Sequence, residues 1–96
     1  MDKSTLARWR ALPASAVLQA ICDHAKVDPT YRPTKDQTSQ RWHVSVATHD
    51  YELIVTGPRF WDTRAGHGGG GAIDLVCHLL GCTVVEALRR LAATGM

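Results

Sequence analysis

Cys22, His24, Cys77, His78 and Cys82 are the residues of this sequence closest in type to a metal site. Structural zinc sites use closely paired ligands, most often two cysteines separated by two residues. Neither a C-x2-C nor a C-x2-H spacing occurs here. Cys22, His24 and Cys77 fall on or near apolar helical faces in the pattern, where a thiol or an imidazole packs into a core. The expectation is no metal and no cofactor. Cys82 follows Gly81 at a helix start, a setting that lowers thiol pKa values. Yet Gly81 is explained as a helix stop, and Cys82 then takes the position of a hydrophobic staple. The acidic residues are scattered, no carboxylate pair is set for acid–base work, and no Ser/His/Asp order stands out. The chain is expected not to be an enzyme.

Two other constellations carry chemistry. The run Arg64-Ala65-Gly66-His67-Gly68-Gly69-Gly70-Gly71-Ala72 leads into a helix start. Glycines leave backbone N–H groups uncovered, and the first N–H groups of a helix lack internal partners, so the place suits a phosphate. The run is not a Walker loop, because no Lys-Ser/Thr follows, and no parallel β-α-β unit surrounds it. Its plainer reading is a tight connection, with Asp74 capping the helix. The second constellation is Arg41-Trp42-His43, Arg59-Phe60-Trp61 and Arg64. Arginines and aromatic rings on one sheet face are the ingredients of a single-strand platform, charge for the phosphates and rings for the bases. The plainer reading puts the rings in the core and leaves the arginines as solvated charge.

The elements that must position these residues follow from periodicity. A short stretch from Ser4 to Arg10 has a weak helical stripe. A stronger helix starts at Pro13, a residue suited to a first helical position. Val17, Ile21 and Ala25 recur every four residues beside Ala20 and His24, and Asp28-Pro29 ends the pattern. Residues 30–40 form a polar loop with one proline, Pro33, just after Pro29. Trp42, Val44 and Val46 alternate with His43, Ser45 and Ala47 as a strand. Thr48-His49-Asp50 reads as a turn. Tyr51, Leu53 and Val55 form a second strand, Gly57-Pro58 a turn, and Phe60-Trp61 the start of a third strand. Short connections imply an antiparallel meander. Ile73, Val76, Cys77 and Leu80 mark a helix that Gly81 stops. Thr83 and Glu86 have capping-box spacing for a last helix with an apolar face of Val84, Leu88 and Leu91 and with Arg89-Arg90 near its C-terminus. The expected fold is α+β: a three-stranded antiparallel meander packed with about three helices.

Composition sets the bounds. The chain has 96 residues, 45% of them hydrophobic and 21% charged, which is ordinary usage for one folded domain. A net charge of +2 is mild for a nucleic-acid binder, so any electrostatic argument rests on where the charges sit. Three cysteines and no secretory signal point to a reducing, cytoplasmic setting. No apolar run is long enough for a membrane span. The initiator Met and the Gly95-Met96 end fit both a whole protein and the first domain of a longer one.

The residues resemble those of a known family, the zinc-binding domain of bacterial replicative primases. That domain reads as Cys-Pro-Phe-His, a polar loop, Ser-Phe-x-Val, an aromatic pair, Cys-x-x-Cys, then glycines and a helix. Arg32-Pro33-Thr34-Lys35-Asp36 stands where the first ligand pair falls, and Trp42 and Val44 where the Phe-x-Val strand falls. Phe60-Trp61-Asp62-Thr63-Arg64-Ala65-Gly66 stands at the second pair. Gly70-Gly71-Ala72-Ile73-Asp74-Leu75-Val76 is similar to the glycine-to-helix junction, and Gly81 to Ala92 to the last helix. The likeness spans residues 13–93 of an expected zinc-ribbon-like domain over residues 13–96, with residues 1–12 as an N-terminal extension or short helix. All four ligand positions are lost, to Arg32, Lys35, Thr63 and Gly66, so the resemblance is to a zinc-ribbon-like domain in a metal-free form. Such forms look like those of plasmid, phage and other mobile-element replication and mobilisation proteins.

The resemblance implies contact with single-stranded DNA in a replication system. The expected contacts are Arg32, Lys35, Arg41, Arg59, Arg64 and His67, with Gly69 and Gly70 at the phosphate loop and Trp42 or Trp61 stacking. Sequence preference is expected to be slight. The alternative is a protein-interaction domain that docks a primase, polymerase or helicase partner through an apolar helix face, Leu75/Leu79 or Val85/Ala92.

Overall fold

The computed structural model describes residues 3–96; Met1 and Asp2, the first two residues of the expected 1–12 extension, lie outside that range. The fold is α+β. Helices α1 (Lys3–Ala11) and α2 (Ala14–Ile21) precede strands β1 (His24–Val27), β2 (Gln40–Val46), β3 (His49–Thr56), β4 (Arg59–Asp62) and β5 (His67–Gly69). Helices α3 (Ala72–Leu80) and α4 (Val84–Ala93) follow. The strands form one sheet in the order β1-β2-β3-β4-β5, and every neighbouring pair is antiparallel. The meander is thus larger than expected, five strands rather than three, with four helices rather than about three.

Both extra strands come from segments whose local pattern pointed elsewhere. The helix expected to run from Pro13 to Asp28 stops at Ile21, and Cys22 turns extended with φ −81° and ψ 149°. Residues 24–27 then pair with β2, Ala25 opposite Val44 and Val27 opposite Trp42. Strand β2 needs a partner for its outer edge, and as part of β1 Ala25 packs against the core. At the other end, the glycine run is not all loop. His67–Gly69 pairs with β4, Trp61 opposite Gly68. A Cβ on Gly68 would sit 2.5 Å from the Phe60 carbonyl oxygen and 2.8 Å from Trp61 Cε3, and one on Gly69 would sit 2.8 Å from a Phe60 ring carbon. These two glycines are demanded by close approach.

The β2–β3 turn also lies one step earlier than expected, at Ala47-Thr48, so that His49 and Asp50 pair with Val46 and Ser45. Both turn residues have positive φ, 51° and 67°.

Helices α2 and α3 cover one face of the sheet, and α1 and α4 pack on α3. Strand alternation sends Trp42, Val44 and Val46 of β2, Leu53 and Val55 of β3, and Phe60 of β4 to that face. They meet Val17, Leu18, Leu75, Val76, Leu79, Ala87 and Leu91 from the helices. Trp9 of α1 lies in the same core, and its Nε1–H donates to the Met96 carbonyl at 2.8 Å. In α4, Ala87 and Leu91 are buried while Val84 is exposed, so the core-facing stripe starts one turn later than expected. Of the expected capping box, the Thr83 half forms: Thr83 Oγ1 accepts the Glu86 N–H at 3.2 Å. Gly81 ends α3 in the left-handed conformation. No helix among the described residues is long and apolar enough to cross a membrane.

Candidate functional site

Among the described residues, no helix covers the second face of the sheet. Its outward residues are Arg41 and His43 of β2, Glu52, Ile54 and Thr56 of β3, and Arg59 and Trp61 of β4. Register aligns Arg41, Ile54, Trp61 and Gly68 in one row across four strands, and Thr56 with Arg59 in the next. Residues 28–39, between β1 and β2, fold over this face and raise a wall beside it. The result is a cleft of about 440 Å³ lined by Tyr31, Pro33, Lys35 and Asp36 on the wall and by Ile54, Arg59 and Trp61 on the sheet, with Gly68 and Gly69 at its edge.

The wall is held by two aspartates that each close a small turn. Asp28 Oδ1 accepts from Thr30 N–H and Thr30 Oγ1, and its Oδ2 accepts from Arg41 Nε (3.0 Å) and Nη2 (2.8 Å) and meets His43 Nε2 at 3.2 Å. The Thr30 bonds first, then His43 and Arg41, hold the Asp28 carboxyl well below the usual carboxylate range. Asp36 Oδ1 accepts from Thr38 N–H (2.9 Å) and Thr38 Oγ1 (2.6 Å), which lowers its pKa as well, with Arg59 adding a smaller electrostatic pull. Ser39 Oγ and Thr56 Oγ1 are 2.7 Å apart and tie the wall to β3.

The ten expected contact residues divide among three places. Lys35, Arg59, Trp61 and Gly69 line the cleft together. Trp61 is 50% exposed, with its indole against Gly68. Arg32 and Arg41 are turned to structural work. Arg32 Nη1 donates to the Pro29 and Tyr31 carbonyls, and Arg41 is neutralised by Asp28 with its guanidinium 5.2 Å from the Tyr31 ring centroid. The rest lie off the cleft. Trp42 is 6% exposed and faces the core, its Nε1–H donating to Gln40 Oε1, so its ring is not available for stacking. Arg64 is exposed in the β4–β5 turn. His67 faces the helix side, stacked on His78 with ring centroids 5.3 Å apart. Gly70 N–H donates to Asp74 Oδ2 at 3.4 Å, so Asp74 ties down the residue before the Gly71 N-cap rather than capping the helix as expected, and no side chain bonds the N-cap position.

Sequence reasoning does not pick out Tyr31, Asp36 and Ser39, because a polar, proline-containing loop gives no periodic signal of where it folds, nor Thr56, a polar strand end whose role comes only from the loop beside it.

A second polar cluster lies beneath the sheet. Asp62 is buried, with Oδ2 2.6 Å from His78 Nε2 and Oδ1 accepting from Arg64 N–H (3.0 Å) and Ala65 N–H (3.1 Å). Burial raises the Asp62 pKa, but the His78 bond and the two N–H groups together outweigh it and leave it below the ordinary value. His78 is ringed by Tyr51, Phe60 and His67. This pair locks the β4–β5 turn to α3. The strand pattern could have shown it, since Asp62 shares the inward face of Phe60. Burial, with help from Asp23, pushes the Cys22 thiol up to about 11, and burial raises Cys77 too, which leaves both poor nucleophiles. Among the described residues no group of three or more His, Cys, Asp or Glu side chains is placed to hold a metal.

Comparison with protein-family models, with curated proteins and with solved structures gave no match.

Proposed function

We propose that this domain binds single-stranded DNA, as a non-catalytic module of a mobile-element replication system, through the cleft between the open sheet face and residues 28–39. The observation that carries this reading is Trp61: a half-exposed indole on a sheet face that no helix among the described residues covers, beside Arg59 and Lys35 and facing a wall that holds Tyr31. A ring that stacks bases, with cations that take the phosphates, is the chemistry of sequence-tolerant single-strand binding. The cleft lies near the low end of the roughly 300–1,000 Å³ span of small-molecule pockets, a size for a nucleotide and not for a duplex. The likeness to primase zinc-binding domains, in a metal-free version, supports the same reading.

The test is fluorescence anisotropy of labelled single-stranded and duplex oligonucleotides across a salt series. Trp61→Ala is expected to cost about 1–3 kcal/mol of binding. Arg59→Ala with Lys35→Ala is expected to flatten the slope of log K against log salt by about 1.4, at about 0.7 for each phosphate no longer neutralised. Absence of single-strand binding at low salt, or binding that ignores both changes, would overturn the proposal.

A second reading, docking of a primase, polymerase or helicase partner, draws on α4, where Val84 and Val85 are each 57% exposed. Of the two faces expected for that role, Leu75/Leu79 is fully buried and drops out, while Val85 and Ala92 are exposed.

A further inference from the structure

Stacking and phosphate contacts explain why a strand would enter the cleft, and Asp36 Oδ1 closes the turn at Thr38, but Asp36 Oδ2 is left without a hydrogen-bond partner among the described residues. A carboxylate in a site for a polyanion opposes binding unless it meets a donor. We infer that Asp36 reads the edge of one stacked base and selects cytosine over thymine. This rests on the single-strand reading above and adds a preference at one position to it.

Thr38 N–H and Thr38 Oγ1 both bond Asp36 Oδ1, which fixes the carboxylate, and among the described residues Oδ2 has no hydrogen-bond partner. Asp36 lines the same cleft as Trp61. Ser39 and Thr56 line it as well, and their mutual hydrogen bond uses only one of their two hydroxyl protons. The second proton is available to a ligand. The cleft therefore presents an acceptor at Asp36 and a donor at the hydroxyl pair. A cytosine edge offers the N4 amino donor beside the N3 and O2 acceptors, and carboxylates are the side chains that accept from that amino group. Thymine places a carbonyl oxygen where cytosine has the amino group, and two acceptors then face each other. Arg59 and Lys35 line the same cleft and supply cations for the backbone phosphates of the strand.

The experiment compares dC and dT oligonucleotides of equal length in competition anisotropy at pH 7.5, with wild type and Asp36→Asn, and circular dichroism confirms folding of the variant. Wild type is expected to bind dC about tenfold tighter, the scale of one charge-assisted hydrogen bond gained in place of a clash between acceptors. In Asp36→Asn the ratio is expected to fall to near one or to invert, because an amide can donate to the thymine carbonyl. A check that needs no variant replaces cytosine by N4,N4-dimethylcytosine, which has no N4 proton and is expected to lose the preference. Equal affinity of wild type for dC and dT, or a preference that survives Asp36→Asn or the dimethylated base, would overturn the inference and leave single-strand binding intact. Failure to bind either oligonucleotide would overturn both.

Discussion

Trp42 and Trp61 are the same residue type on strands of one meander, yet they face opposite sides of the sheet. Trp42 sits with Val44 and Leu53 in the core, and Trp61 lies on Gly68 in the open cleft. Their truncations should therefore separate stability from binding. Trp42→Ala is expected to cost about 3–5 kcal/mol in a denaturant melt. Trp61→Ala is expected to change stability by less than about 1 kcal/mol, because its ring is half in solvent already. The sequence showed that both lie on strands, but sidedness follows from strand phase, and only the pairing register fixes that. Asp62 is the counterpart among charged residues. Its folded pKa lies below the ordinary carboxylate value of about 3.9, so between those two values the unfolded chain binds a proton that the native state refuses. The stabilisation is complete above about pH 4 and is lost as pH falls through the folded pKa. Comparing acid titrations of stability for wild type and Asp62→Asn should show that component in wild type alone. Equal slopes in the two proteins below pH 4 would contradict the assignment.

At the scale of elements, α3 and α4 were legible because their signals are local: apolar residues at helical spacing, Gly81 as a stop and Thr83 as a cap. Residues 22–27 were not. Val17, Ile21 and Ala25 fit a helical period, and what overrides it is the open edge of β2, which no local pattern contains. The glycine run misled for a different reason. Its composition fits a phosphate loop, whereas Gly68 and Gly69 answer to Phe60 and Trp61 on the neighbouring strand. The β2–β3 turn is an element where sequence and conformation disagree. A two-residue turn with both φ values positive suits Asn-Gly, and here Ala47 and the β-branched Thr48 occupy it. Left-handed backbone at such residues costs roughly 1–2 kcal/mol each. Replacing Ala47-Thr48 with Asn-Gly is expected to raise stability by about 1–2 kcal/mol. A melting temperature that stays put or falls would show that the turn is not strained.

For the whole molecule, the α+β class and the antiparallel meander are readable from alternation and short connections, and part of the candidate cleft's lining is readable as well. Lys35, Arg59 and Trp61 were named, while the wall that makes their surface a cleft was not. The core runs from Trp9 to Leu91 and joins both ends of the described chain to the sheet. Such packing supplies the stability that a bound ion gives to small metal-dependent domains, so incubation with a strong chelator is expected to leave the melting temperature unchanged. The sheet itself divides by the length of its connections. Ala47-Thr48 and Gly57-Pro58 join β2, β3 and β4 by tight turns, whereas β1 reaches β2 only across residues 28–39. Closing the longer loop costs more entropy before any contact rewards it. The central hairpins should therefore assemble first, with β1 docking onto a sheet already formed. In native-state hydrogen exchange, the amides of β1 should open at lower free energy than those of β2 and β3. The wall of the cleft would then belong to the last part of the molecule to fold and the first to let go.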